Sequence, residues 1–152
     1  MTITQAYLQT WSEARTRFSD QLKNLSDSDM KKKLGNSPNS IGFLIRHLAD
    51  VELLFAKNVF GQKDINVHAQ TLIDKKDLGE WTQYSSLLEY QQYAFIQLEK
   101  AIASQSDSDW EVEIFTQEFG TKSKAQALGR IISHTAYHAG QLAIVKKYGA
   151  IL

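Results

Sequence analysis

Apolar residues recur along this chain at spacings of three and four, the period of a helix with one face turned inward. From Thr4 to Leu25 the series Tyr7, Leu8, Trp11, Ala14, Arg15, Phe18, Leu22 and Leu25 draws one such stripe. A second helix is predicted from Ile41 to about Phe60, opened by Ser40 as N-cap and stopped by Gly61. A third follows Thr82 or Ser85, either of which can cap it, and carries Leu87, Leu88, Tyr90 or Gln91, Ala94, Phe95, Leu98, Ala101 and Ile102 before ending near Ser104. A fourth starts at Ser123, which has capping-box spacing to Gln126, and runs through Leu128, Ile131, Ile132, Thr135, Leu142 and Val145 to Tyr148, with Gly149 as C-terminal cap.

Between the stripes the period is lost. SDSDMKKKLGNSPN mixes capping residues with Lys31 to Lys33 and the single proline, Pro38; the lysines are balanced by Asp27 and Asp29 and read as a solvated linker. Residues 62 to 80 form a connection long enough to cross from one end of a bundle to the other or to cover a site, with room for short helical turns. SDSDWEVEIFTQEFG alternates apolar and acidic residues, as a brief extended loop or hairpin before Gly120 would. Too little strand exists for a sheet-based fold. The pattern predicts an all-α four-helix bundle, antiparallel and roughly 30 Å long.

Composition narrows the setting. A chain of 152 residues with 43% apolar content is expected to form one domain over residues 1–152. Lys plus Arg and Asp plus Glu each number 17, so no net field favours a nucleic acid or an anionic membrane surface. The first 25 residues interleave charge with apolar groups, unlike a signal peptide, and no segment approaches the ~20 apolar residues of a membrane span. A cytoplasmic location is the expectation. With no cysteine, any metal must be held by nitrogen and oxygen.

The candidate chemistry lies in the histidines. His134 and His138 stand four apart in HTAYHAGQL, so their rings share one face about one helical turn apart. His47 shares its face with Phe43, Leu44, Val51 and Leu54; the pair shares its own with Ile131, Thr135 and Leu142. Each imidazole interrupts an apolar stripe, and burying a polar ring without a partner costs about 1–3 kcal/mol. A shared metal ion would account for all three. Read more plainly, an i,i+4 pair arises by chance in many helices, and spacing does not show that the two helices are neighbours. Asp50 and Glu52 are the nearby carboxylates. Asp50 projects nearer the His47 side, although an exposed salt-bridge partner is its commoner fate. Gln141 reads equally as a hydrogen-bonding group for water or substrate and as a boundary residue. His68 lies in the irregular connection and is expected to be solvated. The three tryptophans and the other aromatics read first as core.

NSIGFLIRHLADVELLF and ISHTAYHAGQLAIVKK resemble the two signature helices of the DinB-like family, also called DinB/YfiT-like, and the likeness spans nearly the whole chain. The resemblance implies an up-down-down-up four-helix bundle with a long crossover connection. It implies His47, His134 and His138 as ligands of a divalent metal, nickel or zinc, and a homodimer. It also implies thiol transfer as one class of activity, with a low-molecular-weight thiol as partner of a small-molecule substrate. Catalytic residues beyond the ligands stay unassigned. The expected function is a metal-dependent transferase or hydrolase. Its alternatives are a non-catalytic, stress-related or metal-binding bundle and a metal-free interaction module. Neutral imidazoles, with a reference pKa of about 6.5, should release the ion below that pH.

Overall fold

Each long helix begins where a side chain can satisfy its free amide groups. In the computed structural model, which describes residues 1–151, Thr2 caps α1 (Ile3–Gln21) and Ser40 caps α2 (Ile41–Asn58). A short helix α3 (Gln70–Asp74) follows, then α4 (Tyr84–Ala103), the hairpin β1 (Glu113–Thr116) and β2 (Gly120–Ser123), and α5 (Lys124–Tyr148). Ser123 and Gln126 form the expected capping box, and Gly149 is the C-cap. The α4 start differs from expectation. Neither Thr82 nor Ser85 caps it; Gln83 holds the N-cap position without a side-chain bond, and Asp27 accepts the Tyr84 amide at 2.8 Å from far along the chain. The first helix also stops short of Leu25, because Asn24 turns into the left-handed region at φ 60°.

Helix directions follow from a few long-range bonds. Gln105, just past α4, accepts Thr4 Oγ1 on its carbonyl at 2.9 Å and Lys124 Nζ on its side chain at 2.7 Å. Its amide donates to the Phe60 carbonyl at 3.1 Å. The starts of α1 and α5 therefore meet the ends of α2 and α4. At the opposite end Lys146 Nζ donates to the carbonyls of Gln21 and Lys23, and the Tyr84 hydroxyl to that of Leu22. The order is up-down-down-up, with α1 against α5 and α2 against α4 as the most extensive contacts. Those two pairs are parallel, which corrects the simple antiparallel expectation. A parallel α2–α4 pair forces residues 59–83 to return along the bundle.

The crossover is pinned to α2 on its way. Thr71 reaches Asp50, and Asp77 accepts the Ser40 amide at 2.8 Å, placing a carboxylate at a helix N-terminus, where the dipole favours it. Gly42 lets the end of the crossover pack closely on α2: a Cβ there would lie 1.7 Å from the Trp81 carbonyl oxygen. Trp11, Phe18, Ile45, Leu48, Leu98, Ile102 and Ile131 are fully buried between the helices, each contributing about 1.5–3 kcal/mol by burial. Trp11 and Trp110 belong to this core, as expected of aromatics at helical spacing.

Candidate metal centre

His47 sits in the second turn of α2, and His134 and His138 on either side of the middle of the oppositely directed α5, so the three rings meet across the α2–α5 contact. They are half-buried, in the wall of the bundle rather than at its centre. The ring centroids lie 4.5–5.2 Å apart, and one nitrogen from each ring falls within 4.8 Å of the others. Phe43 stacks on His47 at 5.8 Å, nearly parallel. His68 is elsewhere, exposed and bonded to Gln70 at 2.6 Å.

Hydrogen bonds set which nitrogen faces inward. Thr71 donates its hydroxyl proton to Asp50 Oδ2 at 2.7 Å, so its oxygen is left to accept from His47 Nδ1 at 3.2 Å. That leaves the lone pair on His47 Nε2, directed at the cluster. Gln141 Oε1 likewise accepts from His138 Nδ1 at 2.7 Å, leaving Nε2 as the basic nitrogen. His134 Nε2 lies 3.2 Å from His47 Nε2. Two lone pairs at that distance repel unless a proton or a cation lies between them. Two nitrogens bound at about 2.0–2.1 Å in a tetrahedron would stand roughly 3.3 Å apart, so the observed edge fits a shared metal ion. His134 Nδ1 is buried without a partner among the described residues.

Protonation favours the same use. Burial, with His138 next to it, lowers His47 to about 4 despite the opposing pull of Asp50. Burial and the two neighbouring imidazoles lower His134 to about 3. Burial also lowers His138, partly offset by Gln141. Neutral imidazole is the ligating form.

Asp50 is not the exposed salt-bridge partner expected of it. Its exposure is 0%, and its carboxylate takes bonds from the Tyr90 hydroxyl at 2.6 Å, Arg46 Nε at 3.0 Å and both polar groups of Thr71. Burial and this carboxylate raise Tyr90 above its ordinary range. Arg46 in turn lies over the Tyr90 and Trp81 rings, at 3.7 and 4.6 Å. Asp50 thus reaches His47 through Thr71, a positioning chain of the kind that holds a metal-binding ring in one tautomer. Thr71 carried no signal in the sequence, and Tyr90 only that of an alternative stripe position on the third helix; Asp50 had one, its spacing of three from His47 and four from Arg46. The cluster opens on a cleft of about 350 Å³ lined by Asn39, Phe43, Thr71, Leu72 and Lys75. No fourth His, Asp or Glu joins the group among the described residues.

Solved structures share this architecture. A DinB-like protein from Bacillus cereus ATCC 10987 superimposes with a TM-score of 0.77 at 15% identity, covering 99% of this chain and 96% of that one. YfiT from Bacillus subtilis, described as a probable metal-dependent hydrolase with an unusual four-helix bundle topology, gives 0.69 at 12% identity over 95% and 86%. A mycothiol-dependent maleylpyruvate isomerase gives 0.71 at 16% identity, with 91% of this chain covering 60% of that protein. At these identities the likeness speaks for the fold. No curated protein sequence matches the chain. The sequence itself matches a family across residues 10–142, most of its length: the chain belongs to the DinB superfamily.

Proposed function

We propose that this chain is a metal-dependent enzyme in which His47, His134 and His138 hold one divalent cation, zinc or nickel, beside an open small-molecule cleft. The observation that carries the reading is the convergence of three neutral imidazoles, two with their Nε2 lone pairs set inward by their own hydrogen bonds. Three protein ligands and an accessible cleft describe a catalytic rather than a closed structural site. Such a cation supplies Lewis acidity, lowering the pKa of a coordinating water or thiol and polarising a substrate oxygen. The chain holds the three rings, fixes the tautomers of His47 and His138 and shields the cluster from protons. Transfer of a low-molecular-weight thiol, or hydrolysis, is the reaction class; the mycothiol-dependent and metal-dependent descriptions of two structural neighbours support it. A single domain, acting in the cytoplasm as a homodimer, completes the proposal. Among the described residues no helix is long and apolar enough to cross a membrane.

Elemental analysis of untagged protein, purified without chelator, is expected to find about one zinc or nickel per chain. A cobalt-loaded sample should develop sulfur-to-metal absorption on adding small thiols. Metal that is present but takes up neither thiol nor substrate analogue would leave the non-catalytic bundle instead. Thr71→Val keeps the shape of the side chain but removes the acceptor for His47 Nδ1–H. Chelator competition should show metal affinity falling about 10- to 100-fold, with the circular dichroism unchanged.

A further inference from the structure

Only one charged side chain, Lys75, lines the cleft beside the histidines. It follows the last turn of α3 with φ 56° and ψ 14°, a left-handed conformation that only glycine, and sometimes asparagine or aspartate, adopts routinely. Strained positions of this kind cluster at ligand clamps, where the surrounding structure holds them. The ammonium group has no ion-pair partner among the described residues. Two carboxylates of this region have other partners. Asp74, next to it, accepts from Gln70 at 2.8 Å, and Asp50 lies behind Thr71 with both oxygens engaged. The remaining wall is neutral, made by Asn39, Phe43, Thr71 and Leu72. The cleft volume, about 350 Å³, lies within the ~300–1,000 Å³ of small-molecule sites.

We infer that Lys75 is a specificity-determining residue that selects small molecules bearing a carboxylate, held at the cleft mouth while another group of the same molecule reaches the three histidines. The inference rests on the reading of His47, His134 and His138 as the metal site. A cation at the base and an ammonium at the rim, with no acid in the wall, leave an anionic ligand as the one that meets favourable charge along its whole length. Lys75 is exposed, so its contribution is a few-fold and screened by salt rather than decisive for affinity.

The test uses cobalt-loaded protein titrated with 3-mercaptopropionate and with 2-mercaptoethanol, a carboxylate thiol and a neutral one, read by sulfur-to-cobalt absorption. Lys75→Gln is expected to weaken 3-mercaptopropionate about three- to fivefold and to leave 2-mercaptoethanol unchanged. Lys75→Glu should weaken it further, Lys75→Arg should keep wild-type preference, and added salt should shrink the difference. Equal effects of Lys75→Gln on both thiols, or none on either, overturn the inference. If neither thiol perturbs the bound cobalt, the thiol reading fails by itself, and succinate against acetate takes over the test. Succinate binding that depends on Lys75 then upholds the selection of carboxylates, and succinate binding indifferent to Lys75→Gln overturns it.

Discussion

His134→Ala is expected to raise the dissociation constant for zinc or nickel roughly 10²- to 10³-fold, and His47→Ala and His138→Ala to do the same. Four-ligand zinc sites bind with about 10–16 kcal/mol, or ~2.5–4 kcal/mol per ligand, and each 1.4 kcal/mol is a factor of ten. Two remaining imidazoles cannot hold against water and buffer what three hold. The rings are half-buried at the α2–α5 contact and are not among the fully buried side chains, so the variants should stay folded. His68→Ala is the control, because that ring is exposed and bonded only to Gln70. Wild-type occupancy and affinity in any one of the three cluster variants would remove that histidine from the ligand set.

The pH profile of metal retention is a second consequence of the same three rings. A solvated imidazole protonates at about 6.5, but burial has moved His47 to about 4 and His134 to about 3. Between those limits the unfolded chain takes up protons that the folded chain refuses. Stability of the metal-free fold is therefore full above pH 6.5 and declines as the pH falls towards 4. In the folded chain His47 and His134 stay neutral over most of that window, and burial shifts His138 in the same direction. Metal should remain bound at pH 5 and leave only near pH 4, which revises the release point expected from the histidine count alone. Dialysis at stepped pH, with metal analysis and circular dichroism side by side, measures it. Release of most of the metal at pH 6 with the fold intact would mean that the rings titrate as solvated groups.

What could be read from the sequence was whatever repeats locally. The long helices, the Ser40 cap, the Ser123–Gln126 capping box and the extended segment before Gly120 are set by residues within one turn of each other. The convergence of His47 with His134 and His138 needed one more step, because α2 and α5 are distant in sequence and periodicity does not choose neighbours. The likeness of those two segments to the DinB-like family supplied that pairing. Contacts made by the irregular crossover were out of reach. Thr71 comes from a stretch without periodic pattern, yet it links Asp50 to His47. Asp50 read as solvent-facing because a helical aspartate usually is; its burial depends on Tyr90 from α4 and Thr71 from the crossover, neither near it in sequence. Asp27 capping α4 belongs to the same class.

Arg15 shows most plainly what periodicity hides, and Arg15→Leu is expected to cost about 3–5 kcal/mol, a large share of the ~5–15 kcal/mol that typically separates folded from unfolded chains. The residue falls on the apolar stripe of α1 and is 1% exposed, with its guanidinium paired to Glu52 at 2.6 Å, itself 0% exposed. Ser19 and the Gln91 side chain accept further bonds at 2.8 Å each, and the rings of Phe18 and Phe95 lie 4.5 and 4.9 Å from the charge. One cation thereby ties α1 to α2 and α4. Removing it strands the Glu52 carboxylate in a dry interior, where the uncompensated charge, more than the lost bonds, sets the cost. Glu52→Leu alone should be comparably damaging for the converse reason. Arg15→Leu combined with Glu52→Leu removes both charges and should recover much of the stability, since a buried pair often gains little over apolar packing. Urea denaturation of the four proteins in this cycle measures the coupling. Additive losses in the double variant would show that the two charges act independently, and that packing rather than pairing fixes the position of α1.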